Sequence, residues 1–140
     1  MYSQKIRLVM QGEHLLTATS ETTVRAAAHL LAGSPVGAIV VVDECRVVGI
    51  FTERDAVLRV LAPGADAQAT VLAQVMTRDP LTIDPDQLYG QALRLMHERG
   101  FRHLPVVEDG KPVGIVCARD ALDPELEEFV CEATRREALG

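Results

Sequence analysis

Two short acidic motifs occupy equivalent places in the sequence, Thr52-Glu-Arg-Asp55 and Cys117-Ala-Arg-Asp120. A carboxylate has two acceptor oxygens and can hold a vicinal diol such as that of a ribose. A hydroxyl three residues earlier can contact the same ligand, or it can cap a helix whose positive end suits the carboxylate. Both roles stay open for Thr52 and Asp55. Because Cys117 is a weak hydrogen-bonding group, we expect the Asp55 motif to be the better equipped.

Basic residues accompany both motifs. Arg54 and Arg119 directly precede the aspartates, where they can reach a phosphate or pair with nearby acids for little energy. Arg102 and His103 stand at the start of an apolar run, where a solvated strand end and a phosphate contact are the two alternatives. Cys117 and His103 could suggest a nucleophile, but no third orienting group or oxyanion device is visible. Without a metal cluster or a phosphate-binding loop either, we predict that the chain is not an enzyme.

An internal repeat organises the chain. A shift of 65 residues aligns 17–59 with 82–124 without a gap, and 11 of the 43 aligned pairs are identical. Val48-Gly-Ile and Arg54-Asp-Ala recur in the second copy as Val113-Gly-Ile and Arg119-Asp-Ala. Such self-similarity predicts two copies of one structural unit.

Each copy has the same order of predicted elements. A short strand and a helix precede two β-branched runs with a polar turn between them, which is typical of a hairpin, and a second helix follows. The runs are 38–42 with 47–51, and 104–107 with 113–116. The predicted fold is therefore α/β (α+β layered), with two β-α-β-β-α units related by a pseudo-twofold and sheets packed face to face. Two equivalent clefts would lie between the units.

Three regions are predicted from this organisation. The first unit with an N-terminal segment covers 1–65, and the second with a linker helix near 71–76 covers 66–122. Residues 123–140 form an acidic C-terminal helix. One unit of about 60 residues buries little core alone, so we expect the two units to pack together.

Composition restricts the possible functions. The 140 residues carry a net charge of −6, of which −4 lies in 123–140, so the chain offers no basic face to a nucleic-acid polymer. Its apolar runs are far too short to span a bilayer, and no apolar signal core starts the chain. Three cysteines without metal-ligand spacing indicate a reduced protein. We expect a cytoplasmic protein with no metal site and no membrane contact.

The repeated pattern resembles the CBS domain, named for cystathionine β-synthase. The resemblance rests on Gly49-Ile-Phe-Thr-Glu-Arg-Asp and its copy Gly114-Ile-Val-Cys-Ala-Arg-Asp, together with Val75-Met-Thr-Arg-Asp-Pro and Gly100-Phe-Arg-His-Leu-Pro. It implies a tandem pair that forms a homodimer. It also implies clefts for an adenosine-containing regulatory ligand such as AMP, ADP, ATP or S-adenosylmethionine, with no obligatory cofactor.

The resemblance also implies roles for individual residues. Asp55 and Asp120 match the ribose-binding aspartate, and Thr52 matches the hydroxyl residue before it, from which Cys117 departs. Gly37, Ala38, Arg102 and His103 match the hairpin start that borders both clefts. The first predicted site comprises Thr52, Arg54, Asp55, Met76, Thr77, Leu81, Arg102 and His103. The second comprises Gln11, Leu16, Gly37, Ala38, Cys117, Arg119 and Asp120.

Two functions remain from the sequence. One is a small-molecule sensor that signals to an unknown regulated protein through its dimer or partner geometry. The other is a dimeric interaction module whose pockets are vestigial, which the Cys117 departure and the lack of proline in Gly37-Ala-Ile-Val favour.

Overall fold

Two β-hairpins, each covered by helices, form the centre of the molecule. The computed structural model describes residues 2–10, 12 and 15–118. The predicted C-terminal helix therefore lies outside the described residues, as do three predicted site residues, Gln11, Arg119 and Asp120. The mixed α/β class with two sheets is confirmed.

The first unit follows the predicted order of elements. In the second unit, Ile83 makes a single bridge where a short strand was predicted, and the predicted second helix lies outside the described residues. A 3-10 turn, Ile6–Leu8, comes first. The strands are β1 (Thr17–Ala18), β2 (Ala38–Asp43), β3 (Arg46–Thr52), β4 (Thr77–Arg78), β5 (His103–Glu108) and β6 (Lys111–Cys117). The helices are α1 (Val24–Ala32), α2 (Glu53–Asp55), α3 (Leu72–Val75) and α4 (Tyr89–Arg99), and α2 continues as a π-helix over Ala56–Leu61.

The two hairpins repeat each other residue for residue. In the first, Ala38 pairs with Thr52; in the second, His103 pairs with Cys117, at the same 65-residue offset. The pairing register of each hairpin shifts before its last two pairs, between Val41 and Val42 in the first and between Val106 and Val107 in the second. Each hairpin then turns through two residues of positive φ. Such turns match the right-handed twist of the strands. In the first turn the second of these residues is Cys45, with φ of 66°.

The first hairpin belongs to a four-stranded sheet in the order β1-β2-β3-β4, in which only β1 and β2 pair in parallel. The second hairpin forms a two-stranded sheet. Beside it, Ile83 bridges Val106 in parallel, as Ala18 pairs with Val41 in the first unit. The repeat seen in the sequence is therefore present in the strand pairing.

Three apolar clusters hold these layers together. One lies under α1 and the π-helix in the first unit, and a second lies under α4 in the second unit. The third joins the two hairpins and contains Val36, Ala38, Val40, Ile50, Ile115 and Cys117. This third cluster packs the two sheets face to face, as predicted.

The lead-in segments cross between the units. Ile6 is fully buried in the cluster of the second unit, and its amide donates to the carbonyl of Gln87 at 2.9 Å. Conversely, Leu72 of the linker is buried in the cluster of the first unit and donates to Thr22 at 2.9 Å. The domain boundaries at 65 and 122 stay a prediction. Across the boundary at 65, the N-terminal segment packs on the second unit and the linker packs on the first.

Two apolar residues at the helices are exposed rather than buried. Leu88 precedes α4 and is largely exposed, while Tyr89 fills the buried position. Ala28 of α1 also faces outward. In the described part of the chain, no helix has the length and apolar character needed to cross a bilayer.

Candidate functional site

A cavity of about 760 Å³ lies where the two hairpins end. Its walls come from both units: the end of β3 and the start of α2 on one side, and the start of β5 and the end of β6 on the other. Ligand-binding pockets typically measure about 300–1,000 Å³, so the cavity is large enough for a small molecule.

The helix that follows β3 positions the acidic motif. Thr52 caps it: its hydroxyl accepts from the Asp55 amide at 3.2 Å, while the Asp55 carboxylate accepts from the Thr52 amide at 2.9 Å. The Thr52 hydroxyl also donates to the same carboxylate oxygen, Oδ2, at 3.1 Å. The predicted capping role is thus present, and Asp55 lines the cavity at the same time.

Besides Thr52, Asp55 has a charged neighbour that the sequence reasoning missed. The Nε of Arg59 lies 3.6 Å from Oδ1 of Asp55, and the Asp55 side chain is only 14% exposed. An arginine four residues after an aspartate on a helix is a regular pairing pattern, so the spacing was a usable signal.

Basic residues also line the cavity. Arg102 and His103 both line the cavity, and Arg54 lines it from the side of Asp55. Within the described residues, neither Arg54 nor Arg102 takes part in an ion pair. Their guanidinium groups therefore supply positive charge to a cavity that also contains Asp55 and Glu53.

His103 connects the units. Its Nε2 lies 2.9 Å from the carbonyl oxygen of Val36, and since a carbonyl only accepts, this nitrogen carries the proton. The contact ties the start of β5 to the segment before β2. Across the hairpin, His103 pairs with Cys117, which is buried at 6% exposure. Cys117 occupies the position that corresponds to Thr52 in the first unit.

Most residues of the first predicted site lie around this one cavity. Its lining includes Thr52, Arg54, Asp55, Thr77, Leu81, Arg102 and His103. Met76 is the exception because its side chain is buried in the apolar cluster of the first unit.

The second predicted set is divided. Gly37 and Cys117 line the same cavity as the first set, whereas Ala38 packs in the cluster between the hairpins and Leu16 against that of the first unit. The other three members lie outside the described residues. Further lining residues were not predicted: Val36, Ile50, Glu53, Pro80, Gly100, Phe101 and Ala118.

Glu53 closes one edge of the cavity. Its amide donates to the carbonyl of Gly37 at 3.1 Å, and its carboxylate carbon would lie 3.1 Å from a Cβ built on Gly37. Gly37 also has φ of +76°. The left-handed backbone therefore favours glycine there.

Metal chemistry has no visible basis in the part of the chain that the structure describes. No group of three or more His, Cys, Asp or Glu side chains in that part is arranged to hold a metal ion.

The fold and the cavity define the class of this protein: a repeated α/β module with a ligand-sized cavity between its copies. A family model described as "CBS domain" matches residues 9–62 and again residues 72–125. The chain therefore belongs to the CBS domain family, and the predicted resemblance is confirmed. Proteins built from CBS pairs are regulatory modules.

Individual relatives agree with this assignment. The chain is 32% identical over 127 residues to an uncharacterized protein, MK0525, of Methanopyrus kandleri, covering 89% of this chain. It spans 64% of that protein, and only 21% of the CBS domain-containing protein CBSCBSPB2 of Arabidopsis thaliana, to which it is 37% identical over 112 residues.

Solved structures share the fold. An uncharacterized conserved protein from Pyrococcus horikoshii is 32% identical, with a TM-score of 0.80 over 89% of this chain and 94% of the other. The CBS domain pair of protein MJ0100 is 26% identical, with a TM-score of 0.74 over 84% and 92%. That structure is a complex with 5′-methylthioadenosine and S-adenosyl-L-methionine.

Proposed function

We propose that this chain is a regulatory module that binds an adenosine-containing ligand, such as AMP, ADP, ATP or S-adenosylmethionine, in the cavity between its two units. The observation that carries the proposal is the lining of that cavity, which combines Asp55 with Arg54, Arg102 and His103. A nucleotide requires both a diol acceptor and a phosphate-binding group.

The roles follow from the geometry. Asp55 binds the ribose hydroxyls through Oδ1, because Oδ2 already accepts two hydrogen bonds from Thr52. Arg102 and Arg54 bind the phosphate. His103 contributes mainly by joining the units, since its Nε2 proton is donated to Val36.

Apolar side chains provide a place for the adenine ring. Val36, Ile50, Leu81 and Phe101 line the cavity, and Leu81 and Phe101 are each 38% exposed. A ligand that covers such surface gains about 25 cal/mol for each Å² removed from water. The adenosine ligands of the MJ0100 pair support this choice of ligand class.

The output of binding is a change in association. Three apolar side chains of the π-helix are exposed, Val57 at 52%, Leu58 at 54% and Leu61 at 73%. The π-helix that carries them directly follows Asp55, so a ligand on Asp55 acts at the start of this helix. We propose that this surface forms the homodimer or contacts the regulated protein.

Isothermal titration calorimetry with AMP, ADP, ATP, S-adenosylmethionine and NAD tests the proposal, with thermal unfolding as a second readout. At 100 times its Kd, a ligand adds about 2.7 kcal/mol of stability. Asp55→Asn removes the charge at constant shape and is expected to weaken binding by about tenfold, as loss of a hydrogen bond to a charged group does. Glu98→Gln, at an exposed position of α4, is the matched control and should bind like the wild type. No heat and no stabilisation with any of the five compounds would refute the proposal.

One set of contacts favours the second function, an interaction module with a vestigial pocket. Both oxygens of Asp55 already have partners inside the protein, Thr52 and Arg59. In that case Leu61→Lys disrupts a dimer measured by light scattering, while none of the nucleotides affects stability or association.

A further inference from the structure

Arg59 makes contacts that connect the first unit with the linker. Its Nη1 donates to the carbonyl oxygens of Val75 and Met76, both at 3.1 Å. Its Nε lies 3.6 Å from Oδ1 of Asp55. One guanidinium group therefore joins the π-helix, the acidic end of α2 and the chain that leaves α3.

The two carbonyls are located where a cation is most useful. Val75 is the last residue of α3, and the final carbonyls of a helix have no partner within the helix and carry partial negative charge. Met76 follows Val75 and is itself followed by Thr77, which lines the cavity. Arg59 is thereby anchored to the backbone directly before a residue of the cavity wall.

The Asp55 carboxylate is oriented from both sides. Thr52 holds Oδ2 through its amide and its hydroxyl, and Arg59 stands beside Oδ1, the oxygen assigned above to the ribose. Rotation of the carboxylate would break contacts to both residues. A preorganised carboxylate binds its ligand at a lower entropic cost than a mobile one.

We propose that Arg59 is a positioning residue for the ligand: anchored by the carbonyls of Val75 and Met76, it fixes the Asp55 carboxylate in one arrangement without contacting the ligand itself. This inference rests on the proposed function. It adds a residue that does not line the cavity but determines its affinity.

The sequence of the second unit separates the two motifs further. The 65-residue offset places Pro124 opposite Arg59, just as it places Cys117 opposite Thr52. Proline has no side-chain donor, so the second motif keeps the aspartate and loses both residues that orient it in the first. We expect the Asp55 motif to be the tighter site.

The test is a double-mutant cycle on affinity. Kd values for AMP and for adenosine are measured by calorimetry in the wild type, Arg59→Met, Asp55→Asn and the double variant. Arg59→Met keeps much of the apolar stem and removes the donors. We expect it to weaken both ligands by about fivefold, the upper range for an ion pair with a partly exposed member.

Three comparisons distinguish positioning from the alternatives. In the Asp55→Asn background, Arg59→Met should raise either Kd by less than about twofold, because Arg59 acts through Asp55. Arg59→Lys, which retains the charge, should lie between Arg59→Met and the wild type. Arg94→Met removes the same charge from an exposed position of α4 outside the cavity and should leave both Kd values unchanged.

Several outcomes would overturn the proposal. A lower melting temperature with unchanged Kd would show that Arg59 is purely structural. A loss for AMP but not for adenosine would show a direct phosphate contact, and a loss that is undiminished in the Asp55→Asn background would show action apart from Asp55. If the wild type binds neither ligand, the proposed function fails, and this inference fails with it.

Discussion

Gly49 is the position at which one added methyl group has the largest predictable effect. It lies buried in β3 beside Met76, the residue that leads into the cavity wall. A Cβ built there would clash with the Sδ of Met76, and it would lie 2.9 Å from Cγ of Met76 and 3.0 Å from the carbonyl oxygen of Thr77. Gly49→Ala therefore pushes the 76–77 segment away from the sheet.

The size of the effect follows from these distances. Carbon atoms in contact normally lie about 3.5–4.0 Å apart, so the segment must shift by several tenths of an ångström or more. Overpacking of this kind typically costs about 1–3 kcal/mol. For a chain of this length, a loss of about 2 kcal/mol corresponds to a melting temperature lower by about 6 °C. The same shift moves Thr77, so we also expect weaker binding of the ligand.

Chemical denaturation of four proteins measures the effect and its cause. Met76→Ala alone removes a buried side chain and should cost about 2–5 kcal/mol. Because it removes Sδ and Cγ, Gly49→Ala in that background should cost less than about 1 kcal/mol, giving a coupling of about 1–2 kcal/mol. Gly33→Ala is the control, since the nearest atom to its Cβ is 3.9 Å away and its φ is −93°. A Gly49→Ala variant as stable as Gly33→Ala would refute the packing argument.

Three further predictions concern positions outside the cavity. Cys45→Gly should raise the free energy of unfolding by about 0.5–1 kcal/mol in urea denaturation, because Cys45 has φ of 66° and glycine removes that strain at some entropic cost. Ile6→Ala should lower the free energy of unfolding by about 2–4 kcal/mol because Ile6 is fully buried. Leu8→Ala, at a position that is 71% exposed, should change it little. Equal losses in the two variants would contradict the packing of the N-terminal segment into the second unit. Hydrogen bonds from Ser20 hold the pKa of Asp43 below its usual range. The stabilisation from the Asp43 carboxylate is therefore complete above about pH 4 and is lost as the pH falls through the lowered pKa. The stability gap between wild type and Asp43→Asn should therefore narrow from pH 7 to pH 3, and a gap independent of pH would contradict this assignment.

Local patterns made the hairpins and the cap predictable. β-branched runs around a two-residue polar turn specify their own partner, so β2–β3 and β5–β6 could be placed from the sequence. The Thr52 cap was equally visible, because a capping residue and its carboxylate lie three positions apart. The repeat then supplied the face-to-face arrangement.

Contacts between distant segments were not visible in the same way. Nothing local to Ile6 indicates that it fills the cluster of the second unit, and an apolar pattern fits burial on either side. Leu88 and Tyr89 illustrate the same limit: both suit the apolar face of a helix, and tertiary packing selected Tyr89. Arg59 could be paired with Asp55 by spacing, but its contacts to the carbonyls at the end of α3 depend on the crossed linker.

The crossing of the lead-in segments has a consequence for the cavity. Thr77 reaches it only because the linker before it packs on the first unit, while Arg102 and His103 reach it from the second. The cluster between the hairpins shares Ile50, Val36 and Cys117 with the cavity lining. A change in how the hairpins pack therefore alters the cavity, and a ligand that binds one packing arrangement more tightly than another shifts the population toward it. A module built in this way can couple binding to the relative position of its two units without a separate hinge.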